Sequence, residues 1–337
     1  MLKSRLLKSV LIPTLGISAI GSIAAVSTSC GKKDDPSSLQ SIIITANEDS
    51  SFGLLHGDGN NPNLQYSADG TNWNVYSGTQ RISIPSGTSI YLRGDNPNGW
   101  SHSDSKYSTI NIKGNASVSG NIMALLDNGA GTVKTIPCNN CFSKLFAGSN
   151  GITSVDENLL PSTGLTDECY RDLFRNCSSI VTPPELPATT LASGCYKSMF
   201  NGCTWLVSAP NLPATTLAEK CYQGMFYNCS TLSAAPELPA ITLADYCYTD
   251  MFNSCISLTN APELPATELN LCCYRAMFQR CTSLKSVKIG YTGNYDASRF
   301  DKWADGVNAS GTFYYNGEQT PQDFGFPAEW VVQPYGQ

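Results

Sequence analysis

Histidine is almost missing from this chain: His56 and His102 are the only two in 337 residues. That scarcity removes the commonest general acid–base side chain and the usual nitrogen ligand of zinc. Charge is sparse as well, at 14% Asp, Glu, Lys and Arg with a formal net charge of −6. Cutting after residue 29 would remove Lys3, Arg5 and Lys8 and no acid, so the remainder is more negative still. No basic patch is available to neutralise a phosphate backbone, which excludes nucleic acid as a partner. A nucleophile elbow, a zinc-binding motif and a phosphate-cradling glycine loop are all lacking. The sequence therefore offers no catalytic residue, no metal ligand set and no cofactor, and a non-enzymatic protein is expected.

What is present begins with a leader. Residues 1–29 carry a basic start, an apolar run from Val10 to Val26 and small residues Ser27–Thr28–Ser29 before Cys30. Pro13, Gly16 and Gly21 interrupt the run, which suits a removable signal peptide better than a permanent span. A Cys directly after small residues resembles a bacterial lipoprotein cleavage site of the kind found in wall-less bacteria, with Ser27 where Leu is usual. That resemblance implies acylation of Cys30, which would tie the mature chain to the outer face of the cell membrane. Each buried methylene of such a chain contributes ~0.8 kcal/mol. Residues 30–38, polar and aperiodic, read as a flexible tether.

From 39 to 120 the hydrophobic period is two. Ser41–Thr45, Leu64–Tyr66, Trp73–Tyr76, Arg81–Ile84, Ser89–Arg93 and Thr109–Ile112 are short and rich in β-branched and aromatic residues, with Gly, Asn, Pro and Asp between them. This predicts a small antiparallel β-sandwich, with a tight turn at Asp69–Gly70. Trp73 reads as a core anchor or a sugar platform. The oxygen-rich stretch His56–Asn63 lacks the spaced acids of a calcium loop and reads as an ordinary turn.

The strongest signal is a repeat. Cys169, Cys195, Cys221, Cys247 and Cys273 follow one another at 26 residues, as do Cys177, Cys203, Cys229, Cys255 and Cys281. Each pair frames a phrase such as Cys195–Tyr196–Lys197–Ser198–Met199–Phe200–Asn201–Gly202–Cys203, and Leu186–Pro187–Ala188–Thr189–Thr190–Leu191 recurs between copies. Cys141–Phe146 is a degraded earlier copy, and Ile122–Asp127 stands where an apolar cap is needed. Cys195, Met199 and Cys203 lie four apart with Tyr196 and Phe200 alongside, which predicts a two-turn helix; Leu206–Pro210 predicts a short strand. A fixed period of this length marks a stacked-repeat protein.

These phrases resemble the BspA-like leucine-rich repeats of bacterial surface lipoproteins, over about half of the chain. The resemblance implies a right-handed solenoid displayed at the cell surface, binding host or matrix components and catalysing nothing. The expected fold class is thus α+β: a small N-terminal antiparallel β-sandwich (39–120), then a leucine-rich-repeat-type solenoid of 26-residue strand–helix coils with its N-terminal cap (121–289). A C-terminal cap (290–337) closes it with the aromatics of Phe324–Val332.

Positions that vary between copies should face outward. Val181, Val207, Ser233, Thr259 and Lys285 occupy one such slot, Ser208 and Asn260 the next, and Trp205 stands where other copies carry Ser or Thr. These eight residues form the candidate binding face, with Trp205 either a contact or a local groove filler. The expected partner is a host or matrix protein or a glycan; the alternative is a scaffold or variable antigenic coat with no dedicated ligand. Glu185, Asn211, Glu237 and Glu263 make an acidic row, and Thr190, Thr216 and Thr242 a hydroxyl row, both read as solvated edges. The ten repeat cysteines read as structural. Export favours disulfides, whereas eight residues of helix would hold in-coil pairs too far apart, so inward thiols in two ladders are expected. Cys138 and Cys141 form a Cys–x–x–Cys, read as a capping bridge, an inert pair or a redox pair.

Overall fold

Alternation of buried and half-exposed side chains marks the first strands. The computed structural model describes residues 40–78 and 80–336; the expected leader, Cys30 and the tether lie outside them. In β1 (Ile42–Ala46), Ile42, Ile44 and Ala46 point inward while Ile43 and Thr45 are half-exposed. It pairs antiparallel with β6 (Ser89–Arg93), setting Ile42 opposite Leu92 and Ile44 opposite Ile90, and on its other side with β8 (Ala116–Gly120). The short strands β3 (Gln65–Ser67) and β4 (Asn74–Val75) extend this sheet beyond β6. A second sheet holds β2 (Ser50–His56) between β5 (Ile82–Ile84) and β7 (Ser108–Lys113). Phe52, Ile84, Ile110 and Ile112 meet the first sheet's isoleucines in one core. The first sheet does not stop at residue 120: β8 pairs in parallel with β9 (Ile152–Val155).

The expected α+β fold, with its leucine-rich-repeat-type solenoid of strand–helix coils, is overturned. Among the described residues the only α-helix is α1 (Ala297–Phe300), and none of the cysteine-framed phrases is helical. They are ribbons of overlapping turns. The N–H groups of Cys195, Lys197, Met199, Asn201 and Cys203 each bond to the carbonyl three residues back. Those of Tyr196, Ser198, Phe200 and Gly202 leave the segment and bond to Cys221, Gln223, Met225 and Tyr227 of the next copy, at 2.8–3.1 Å. An α-helix would send every donor four residues back along its own chain.

The ribbon requires a left-handed residue at every fourth position. Gly194, Ser198 and Gly202 have φ of 59°, 54° and 78°, and the pattern recurs at Lys220, Gly224 and Asn228 and at Tyr246, Asp250 and Ser254. A positive φ at the third residue of a four-residue turn is the requirement of a type II turn. A four-residue repeat places Cys195, Met199 and Cys203 on one side just as a helix would. The apolar spacing therefore could not tell the two apart.

Side chains on that side form two continuous ring stacks. Phe142, Tyr170, Tyr196, Tyr222, Tyr248 and Tyr274 form one, and Phe146, Phe174, Phe200, Phe226, Phe252 and Phe278 the other. Neighbouring centroids are 5.6–6.2 Å apart and the planes are within 16° of parallel. Offset stacking at this distance adds ~0.5–1.5 kcal/mol per pair to the burial of each ring. No segment could bury these rings alone.

Both ends of the ribbon stack are satisfied. At the start, Trp100 and Ser101 donate to the Cys141 carbonyl, the Ser101 hydroxyl to Ser143, and Ile110 of β7 to Leu145. This explains why β7 is buried on both faces. At the far end, Tyr274, Ala276, Phe278 and Arg280 donate to Arg299, Asp301, Trp303 and Asp305. A parallel sheet follows in the order β10 (Asn260–Leu264), β11 (Ser286–Ile289), β12 (Ser310–Tyr314), β13 (Glu329–Gln333). Phe313, Phe324, Phe326 and Trp330 gather with Trp303 over the last rings.

Candidate binding face and cysteine rows

Each turn ribbon is followed by a buried aliphatic residue, Ile180, Leu206, Leu232, Leu258 or Leu284, none with measurable exposure. Alternation about these residues turns their neighbours outward. Val181, Trp205, Val207, Ser208, Ser233, Thr259, Asn260 and Lys285 are all exposed. Trp205 is 65% exposed, and Val207 and Val181 are 48% and 42%. Trp205 therefore fills no groove.

Backbone bonds link these positions from copy to copy. Val181 donates to Thr153, Ser233 to Val207 and Lys285 to Thr259, while Ser208 bridges Ala234. Thr259 directly precedes β10, Asn260 opens it, and Lys285 directly precedes β11. The Ser286 hydroxyl donates to the Asn260 side chain at 2.7 Å. The face is graded: Val181, Trp205 and Val207 make its apolar end, and Thr259, Asn260 and Lys285 its polar end.

The repeat cysteines are buried free thiols. Cys177, Cys203, Cys229, Cys255 and Cys281 each donate to a Phe carbonyl of the preceding copy (Phe146, Phe174, Phe200, Phe226 and Phe252), at 3.0–3.2 Å. Burial pushes the Cys177 and Cys281 thiols up to about 12. In the other row burial lifts Cys169, Cys221 and Cys273 likewise to about 12, and Cys195 and Cys247 well above the ordinary range. A thiol held so firmly protonated is a packing and donor group rather than a nucleophile.

No protein-family model, curated protein or solved structure matches this chain.

The other sequence candidates are built into the framework. Asn60 of the oxygen-rich stretch donates to the Trp100 carbonyl and the Ser108 hydroxyl, and the His56 ring nitrogen Nδ1 shares a 2.8 Å hydrogen bond with Ser108. Trp73 is half-buried, and the Arg93 guanidinium lies 3.9 Å above its ring, covering one face. Asp69 accepts from Ser67, Thr71 and Asn72, which hold its carboxyl well below the usual range. The acidic and hydroxyl rows are exposed, with Glu263 accepting from the Tyr335 phenol at 2.6 Å. Among the described residues no group of His, Cys, Asp or Glu is arranged to hold a metal ion.

Sequence reading missed a polar knot joining the sheets to the ribbons. Arg171 pairs with Glu168 at 2.8 Å, with Asp104 and with Asp172 at 3.4 Å; Lys144 reaches Asp104 at 3.3 Å and lies over the Tyr107 ring. Burial raises the Asp172 carboxyl against the pull of Arg175 and Arg171. Asp104 and Lys144 are far from Arg171 in the chain, so no local spacing signals their part in it.

Proposed function

We propose that the chain is a non-enzymatic surface protein, held to the outer face of the cell membrane by lipid on Cys30 and binding a host or matrix protein or glycan through the face of Val181, Trp205, Val207, Ser208, Ser233, Thr259, Asn260 and Lys285. One observation carries the reading: the framework repeats its buried residues, while the exposed slots differ from copy to copy and include an unshielded Trp205. A Trp held open on a rigid frame costs little entropy to bind with, and such residues dominate interface energies. The export signal in the sequence and the likeness of the repeated phrases to those of BspA-like surface lipoproteins support the same reading.

The test is an array of matrix proteins and glycans probed with residues 39–337. Saturable binding is expected, weakened at least tenfold by Trp205→Ser together with Val207→Ser. If no member binds saturably, or the double variant binds equally well while remaining folded, the adhesion reading fails and a coat without a dedicated ligand takes its place.

A further inference from the structure

Among the described residues Cys138, Cys141 and Cys272 stand apart from the repeat rows, and of these only Cys138 and Cys141 make a Cys–x–x–Cys pair. Cys138 is partly exposed, whereas Cys141, three residues on, is fully buried at the start of the first ribbon. The Asn139–Asn140 turn joins them, with Asn140 left-handed at φ 57°. A turn of this kind holds its flanking Cα atoms within about 7 Å, inside the reach of a disulfide.

The turn is clamped from three sides. Thr166 donates its hydroxyl to the Cys138 carbonyl at 2.7 Å, Trp100 and Ser101 donate to the Cys141 carbonyl, and Asn140 donates to Asp167. Both sulfurs lie over Gly99: a Cβ placed there would fall 2.3 Å from the Cys138 Sγ and 3.6 Å from the Cys141 Sγ. Gly99 has φ 108° and can carry no side chain without displacing the Cys138 sulfur. Gly99 also lines an open polar cleft with Asn60, Asn61, Asn98, His102 and Lys106.

We propose that Cys138 and Cys141 form a thiol–disulfide exchange site whose substrate is a low-molecular-weight disulfide. The Cys138 thiolate attacks one sulfur of the substrate, forming a mixed disulfide and expelling one thiolate, which takes up a proton. Cys141 then loses its proton, attacks the Cys138 sulfur and expels the second thiolate, which takes that proton. Two electrons pass from the protein dithiol to the substrate disulfide, giving two free thiols and one Cys138–Cys141 bond. The order of attack follows from access and acidity. Cys138 is the partly exposed member of the pair, and its thiol is made more acidic by the hydrogen bond from Cys141, while burial pushes the Cys141 thiol up. The buried repeat thiols act as internal controls.

The test uses the full chain in detergent, equilibrated natively with reduced and oxidised glutathione, alkylated and mapped by mass spectrometry. The Cys138–Cys141 disulfide is expected to form as the oxidised fraction rises, with the repeat cysteines unmodified. Cys141→Ala should instead accumulate glutathione on Cys138, and Cys138→Ser should consume the disulfide at least tenfold more slowly. Gly99→Ala, which displaces the Cys138 sulfur, should shift the glutathione ratio at half-oxidation. Free Cys138 and Cys141 at every ratio overturns the proposal. So does glutathione captured as readily on the repeat cysteines, or the absence of a mixed disulfide in Cys141→Ala.

Discussion

In strands such as β1 and β6 of the N-terminal sheets the side chains alternate in and out, and each takes its hydrogen bonds from antiparallel neighbours of different sequence: β1 pairs with β6 and β8, and β6 with β1 and β3. In the ribbons every layer bonds to a near-copy of itself, and its rings stack on the same rings one copy away. The sheets draw their specificity from differing partners in a fixed register. The ribbons draw theirs from repetition, so a change at one ribbon position is felt by the layers on both sides.

The largest separation between the two regions should appear in alkali. A thiol raised in the folded state stabilises fully below its unfolded value, near 8.5, and loses that contribution as pH rises towards its folded value. Cys169, Cys177, Cys221, Cys273 and Cys281, pushed up to about 12, should each remove up to ~1.4 kcal/mol per pH unit above pH 9. The sheets contain no cysteine. Chemical denaturation between pH 7 and 11, with hydrogen exchange resolved by segment, should show the ribbons opening first; equal loss of protection in both regions would break the contrast. Next in size, Phe200→Ala should cost ~3–5 kcal/mol and lower exchange protection in the copies on either side. Phe52→Ala in the sheets should cost a similar amount with a local footprint.

A glycine pair sharpens the comparison at smaller scale. At Gly202 (φ 78°) a Cβ would fall 2.3 Å from Asn176 Oδ1 of the neighbouring layer, while at Gly87 (φ 75°) it would meet nothing within 4 Å. Both alanine variants bear the left-handed penalty of ~1–2 kcal/mol, but Gly202→Ala should unfold at lower denaturant because a second layer must also yield. The smallest effect is a gain: Arg280, exposed and left-handed at φ 61°, should stabilise by up to ~1 kcal/mol on change to Gly, read as a raised melting temperature.

The sheets were largely legible in sequence because period two has no rival over four or five residues, as in Ile42–Thr45 and Ser89–Arg93. β2 and β8 escaped, being built around Ser, Gly and Ala rather than β-branched runs. The repeat interval and the inward set of Cys, Tyr, Met and Phe were legible; the conformation was not, since spacing by four serves a helix and a turn ribbon equally. The discriminating signal lay in Gly194, Gly202, Gly224 and Asn228, poor helix formers returning every fourth or eighth residue. Tyr246, Ala276 and Arg280 in the same slots obscured it. The outward set was legible from variation between copies, whereas the Gly99 cradle and the Arg171 knot depend on contacts distant in sequence.

The interlayer bonding has a consequence for inheritance. Because each ribbon presents donors to one side and carbonyls to the other, both ends stay matched when a whole 26-residue copy is lost or gained. Loss or gain of a whole copy in the gene would yield chains of different length that still close properly, whereas a deletion of any other size would leave unmatched donors at the junction.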